Sequence, residues 1–122
     1  MIKKTLQLLL LITSTSCGQS WNTNSKDFLL SGNGIDPSNT NLVTAFAVIN
    51  DECISCHTGY HNSWSTLNTD QLWIANGSIV AGSALSSPLI TRLKNRGGDM
   101  PLLSPTLTET QYNALINWID AL

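Results

Sequence analysis

The densest reactive chemistry in this 122-residue chain lies in one pentapeptide, Cys53-Ile54-Ser55-Cys56-His57. Two thiols separated by two residues and followed at once by an imidazole suit four kinds of chemistry. Cys53 and Cys56 can close a disulfide. They can act as a dithiol redox pair, but that motif belongs beside a βαβ unit, and no such pattern surrounds it here. With His57 and His61 they make up the four ligands a structural zinc ion wants. Finally, the two thiols can add across the two vinyl groups on one edge of a porphyrin, a distance that two intervening residues bridge.

This last chemistry is the leading expectation. C-x-x-C-H is the attachment signature of c-type haem, one covalently bound group, with Cys53 and Cys56 holding the ring and His57 ligating the iron from the proximal side. The opposite face of the iron then needs a soft thioether or a second imidazole. Besides the initiator, the only methionine is Met100, in Arg96-Gly97-Gly98-Asp99-Met100-Pro101. The glycines let the backbone approach closely, and Pro101 stiffens the loop that presents the sulfur. His61 is the rival. It lies four residues after His57, on the same side of a helix or turn, so the chain would have to pass around the ring to reach the far face. Met100 is therefore expected as the second axial ligand.

Other residues are candidates for the rim. Arg92 and Arg96 carry guanidinium forks that match a haem propionate, and the Trp73 indole N–H is a third candidate donor. Arg92, Lys94 and Arg96 also suit docking onto an acidic redox partner. Trp64, Trp73 and Trp118 are all expected first as packing in the core and the haem wall.

Several helical elements are expected to position these groups. Leu42, Phe46, Ile49 and Cys53 recur at helical spacing, so one face of that helix is expected to point at the haem. Asp70–Ala75, ended by Gly77, is a short helix. Ser87 can cap a further one, with Pro88 in its first turn and Gly97 at its exit. Thr108 and Gln111 form a capping box. Beyond it, Tyr112, Leu115, Ile116, Ile119 and Leu122 make an apolar stripe opposite Asn113, Asn117 and Asp120. Residues 78–86 have room for extended backbone, but no sheet is expected.

Residues 1–16 have the layout of a secretory signal peptide: Lys3 and Lys4, an apolar run over Leu6–Ile12, then small residues. Ser14-Thr15-Ser16-Cys17-Gly18 resembles a bacterial lipoprotein cleavage box, although Ser14 stands where such boxes usually carry Leu. That resemblance implies lipidation of Cys17. Residues 17–37, rich in Ser, Asn, Thr and Gly, read as a flexible tether. Phe28-Leu29-Leu30 is its one apolar stretch. Residues 38–122 are the folded domain.

The formal charge is −2, from six basic and eight acidic residues. Cleavage before Cys17 would remove two of those basic residues and no acid. Such a balance opposes nucleic-acid binding and electrostatic attachment to anionic lipid. No apolar run is long enough to span a bilayer, so any membrane association rests on acyl chains.

Residues 40–122 resemble a small class I bacterial cytochrome c. The resemblance rests on Phe46-Ala47-Val48-Ile49 leading into Cys53–His57, on Ala81–Leu89, on Gly98-Asp99-Met100-Pro101, and on the closing Trp118-Ile119 helix. It implies an all-α, cytochrome c-like fold of about four short helices around the covalent haem, with the first and last helices crossing. It also implies a non-enzymatic role: single electrons carried between redox protein partners in the cell envelope, on a lipid-anchored chain facing the periplasm or the outer surface. Two other roles share these residues: a haem site that binds or reduces a small molecule, and a fixed subunit of a larger oxidoreductase. The chain departs from the family after His57. Thr58-Gly59-Tyr60 stands where many members have a proline whose carbonyl orients the histidine, which leaves the acceptor for the His57 ring N–H unassigned.

Overall fold

The computed structural model describes residues 34–58 and 63–122. The expectations for the signal peptide, Cys17, Phe28-Leu29-Leu30 and His61 fall outside those residues.

Four α-helices and three short 3₁₀ turns make up the described fold, with no strand beyond a single parallel bridge between Leu93 and Met100. Helix α1 spans Thr40–Glu52. It starts because the Asn39 side chain accepts the Leu42 N–H, satisfying one of the orphan donors of the first turn. Its interior holds neither Gly nor Pro, and Leu42, Phe46 and Ile49 stack on one face. Val43, Ala45 and Val48 are also buried, so α1 is covered on more than half its circumference. Helix α2, Asp70–Ala75, is capped by the Thr69 hydroxyl and buries Trp73; Gly77 at φ +79° lets the chain leave it.

Helix α3 is a single turn, Pro88–Thr91, with Pro88 at its start. Helix α4, Glu109–Asp120, opens on the expected capping box, with the Thr108 and Gln111 side chains each serving the other's backbone. Leu115, Trp118 and Ile119 are buried and Tyr112 and Ile116 half-buried, while Asn113, Asn117 and Asp120 face solvent, as the stripe predicts. Leu122, the last residue of that stripe, is exposed.

The first and last helices make the most extensive helix–helix contact. Polar ties fix their register. Gln111 Nε2 donates to Glu52 Oε1 at 3.0 Å. Asp70 accepts from both Asn39 Nδ2 (2.7 Å) and Trp118 Nε1 (2.8 Å), which joins α1, α2 and α4 through one carboxylate. The turn before α3 docks on the end of α4: Gly82 N donates to Ile119 O and Ala84 N to Asp120 Oδ1. No helix among the described residues is long and apolar enough to cross a membrane.

Three details differ from the sequence expectations. The helix expected to run from Pro88 to Gly97 is broken. Leu93 turns extended and pairs with Met100, and only then does a 3₁₀ turn, Lys94–Arg96, lead to Gly97 at φ +82°. The Ser87 hydroxyl does not cap α3. It is buried, accepts the Val80 N–H and donates to Ser83 O, stitching residues 80–87 into a compact turn. Ile35, assigned to the tether, is 3% exposed and belongs to the core, so the packed unit begins earlier than residue 38.

Candidate functional site

The Cys53–His57 segment forms where α1 ends. Cys53 takes the C-cap, its N–H still bonded to Ile49 O, and the Ile54 N–H turns back onto the same carbonyl. Cys56 N and His57 N both donate to Cys53 O, at 3.1 and 3.0 Å. The pentapeptide is thus a tight turn that brings both cysteines and the histidine to one place. His57 is half-buried. Its carbonyl accepts the Trp64 N–H (2.9 Å), and its ring stacks on the Trp64 indole with centroids 3.9 Å apart and planes 14° from parallel.

Cys53 and Cys56 are free thiols, the first half-buried and the second exposed. Burial, then the Glu52 carboxylate and the neighbouring Cys56, push the Cys53 thiol up to about 12. Cys53 also sits at a helix C-terminus, where the dipole repels a thiolate. A dithiol redox pair needs the reverse, a thiol depressed by a helix N-terminus or a cation. That reading loses support. The zinc reading depends on His61, which lies outside the described residues.

A cavity of about 400 Å³ opens beside this turn. Cys53, Cys56, His57 and Trp64 form part of its wall. Met100 and the residues after it, Pro101, Leu102, Leu103 and Ser104, form another part, with Leu89, Leu93 and Leu115 lining it as well. The four residues expected to hold and ligate a haem therefore line one largely apolar space, although 44 positions separate Cys56 from Met100. Leu42, Phe46 and Ile49, the α1 face expected to point at the haem, face the protein core instead; from α1 only Glu52 reaches the cavity, with Cys53 at its cap.

Met100 is carried by a doubled-back loop. Met100 N donates to Arg92 O (2.9 Å) and Lys94 N to Met100 O (2.7 Å), one bond on each side of Leu93. Gly98 passes so close to this strand-like segment that a Cβ on it would overlap the Arg92 carbonyl.

The rim candidates divide. Arg92 lines the cavity, but its fork is engaged by Asp99, through Nε–Oδ1 at 3.0 Å and Nη2–Oδ2 at 2.9 Å. Arg96 is exposed and off the cavity wall. Trp73 is fully buried in the core, edge-on to both Trp64 and Trp118, and does not line the cavity. The indole at the wall is Trp64, and its Nε1–H is buried with no acceptor among the described residues. Trp64 at the cavity wall and Trp73 in the core are both within the packing expected of them. Glu52 and Leu102-Leu103 were not anticipated; their one signal is adjacency to Cys53 and to Met100-Pro101. Set against family models, curated proteins and solved structures, the chain matches none.

Proposed function

We propose that the chain is a membrane-tethered monohaem cytochrome c, with a cytochrome c-like fold, that carries single electrons between redox partners outside the cytoplasm. The observation that carries this reading is the common cavity of Cys53, Cys56, His57 and Met100. Its volume lies within the range of ligand sites, and its lining is mostly apolar with a few polar groups, as such sites require. The donor set also fits: two thiols for thioether attachment, an imidazole and a soft thioether for iron.

When bound, haem c supplies a one-electron couple between ferric and ferrous iron. The protein's residues do the rest. Cys53 and Cys56 would hold the group covalently and make it part of a core too small to be very stable alone. His57 and Met100 would be its two iron ligands, and a site so filled suits a carrier better than a catalyst. A thioether ligand raises the reduction potential. Buried Leu89, Leu93 and Leu115 would keep water from a group bound in the cavity, while Leu102 and Leu103, 63% and 95% exposed, leave an apolar edge open to a partner. Lipid on Cys17 would keep the domain at a membrane surface.

The test is the optical spectrum of protein exported from a host that attaches haem c, oxidised and reduced, with a pyridine haemochrome and added carbon monoxide. A c-type haemochrome, a thioether-to-iron band and no carbon monoxide binding are expected. A high-spin spectrum or ready carbon monoxide binding would turn the reading to a small-molecule haem site. Absence of haem would overturn it.

A further inference from the structure

The segment that follows Met100 has an unusual attachment. Among the described residues, no backbone-to-backbone hydrogen bond joins residues 101–107 to the rest of the protein. Pro101 and Pro105 have no N–H to give. Apolar burial holds only the two ends, at Pro101 and Leu107, while Leu102 and Leu103 between them project into solvent. The polar attachment comes instead from two side chains on the 3₁₀ turn. Lys94 Nζ donates to Ser104 O at 2.6 Å and to Leu102 O at 3.4 Å. Asn95 Nδ2 donates to Leu107 O at 2.9 Å, and Asn95 Oδ1 accepts the Leu107 N–H at 3.0 Å, so the amide replaces a strand partner.

Lys94 is thereby set apart from its neighbours. Three cations occur in residues 34–122, and all lie within 92–96. Arg92 pairs with Asp99 on the surface, and Arg96 is exposed. Lys94 is half-buried and spends its charge on carbonyl oxygens, where an ammonium makes a stronger hydrogen bond than a neutral donor. Its own backbone N–H holds the Met100 carbonyl. One residue thus grips the loop both at Met100 and four residues beyond it.

We propose that Lys94 and Asn95 are positioning residues that clamp the 101–107 segment over the cavity as the wall behind Met100. This rests on the haem reading above and concerns how the second axial ligand is kept in place. With the clamp intact, the backbone of Pro101–Ser104 stays beside Met100 at the cavity wall, with Leu102 and Leu103 turned outward. Without it, Met100 keeps its two backbone bonds, but the segment that backs its side chain is tied only at its ends, so the thioether is free to swing off the cavity.

The test compares wild type with Lys94→Leu, which removes the ammonium and adds no iron ligand, Asn95→Ala, and the conservative Lys94→Arg, all as the haem-containing protein. Lys94→Leu and Asn95→Ala are expected to keep the c-type haemochrome, since Cys53, Cys56 and His57 are untouched. They should lose the thioether-to-iron band and bind carbon monoxide when reduced; Lys94→Arg should keep the band. A second readout needs no iron chemistry. In Lys94→Leu, the Met100 and Leu107 amides retain their own partners, yet their hydrogen exchange should speed up by roughly ten- to a hundredfold, the equivalent of one charged hydrogen bond. A merely structural lysine would lower the unfolding temperature but leave the band of the folded protein alone. If both variants keep the band, refuse carbon monoxide and exchange at the wild-type rate, the clamp is overturned and the haem reading stands. If wild type itself lacks the band, ligation by Met100 fails, and unchanged amide exchange would overturn the clamp separately.

Discussion

Cys53 joins two environments that oppose ionisation: a half-buried thiol and the carboxyl end of a helix whose last turn already carries Asp51 and Glu52. Acids at that end cost a helix stability, and local conflict of this kind is common at functional positions. In haem-free protein the raised thiol pKa predicts a protonated, slowly reacting Cys53 at neutral pH, with its alkylation rate rising only as the solution approaches strong alkalinity. Exposed Cys56 should alkylate well ahead of it. Mass mapping of iodoacetamide adducts over time checks this; equal rates would mean that Cys53 is neither buried nor repelled as described. Gly98 is the second decisive residue. A methyl added there meets the Arg92 carbonyl, so Gly98→Ala must shift the pairing that carries Met100. The expected cost is about 1–3 kcal/mol, as for other overpacked sites, read by denaturant unfolding. A variant as stable as wild type would show that the loop slides freely.

At the scale of elements, Asp70 is the junction. Its two oxygens accept from Asn39 at the start of α1 and from Trp118 within α4. Trp118→Phe keeps most of the buried ring but leaves Asp70 Oδ1 without that donor. The expected loss is about 1.5–3 kcal/mol, the usual range for a hydrogen bond to a charged group. A loss below roughly 0.5 kcal/mol would mean that water replaces the indole without penalty. The capping box of α4 is a smaller, separable contribution. Thr108→Ala should cost about 1 kcal/mol, measured in the same unfolding assay, and should add to the Trp118 effect because the two sites share no partner.

At the scale of the molecule, the signal peptide and Cys17 belong to the same proposal as the haem, because c-type haem is attached outside the cytoplasm. In full-length protein produced with its own leader, Cys17→Ser should move the domain from the membrane fraction to the soluble envelope fraction without changing the haem spectrum. A variant that stays with the membrane would end the lipid-anchor reading, since the described domain holds seven acids against three bases and has no electrostatic reason to sit on anionic lipid.

What the amino-acid sequence alone determined is whatever local physics decides. The capping box at Thr108, the short helix over Asp70–Ala75, the stripe of α4 and the grouping of Cys53, Cys56 and His57 all follow from spacings of a few residues, and all are present. The tertiary structure decided the rest. It broke the helix expected to reach Gly97, where Leu93 turns extended and the backbone groups on either side of it pair with Met100, a partner seven residues away that no local spacing records. It turned the apolar face of α1 to the core and left only the end of that helix at the cavity. It kept Trp73 in the core, off the cavity wall, and tied up Arg92 with Asp99. It also gave Lys94 and Asn95 a task that no motif announces, since a carbonyl ten residues away becomes a partner only once the chain has doubled back. Periodicity records which residues want burial and which can ionise or ligate. It holds no record of which distant backbone groups are left in need of a donor.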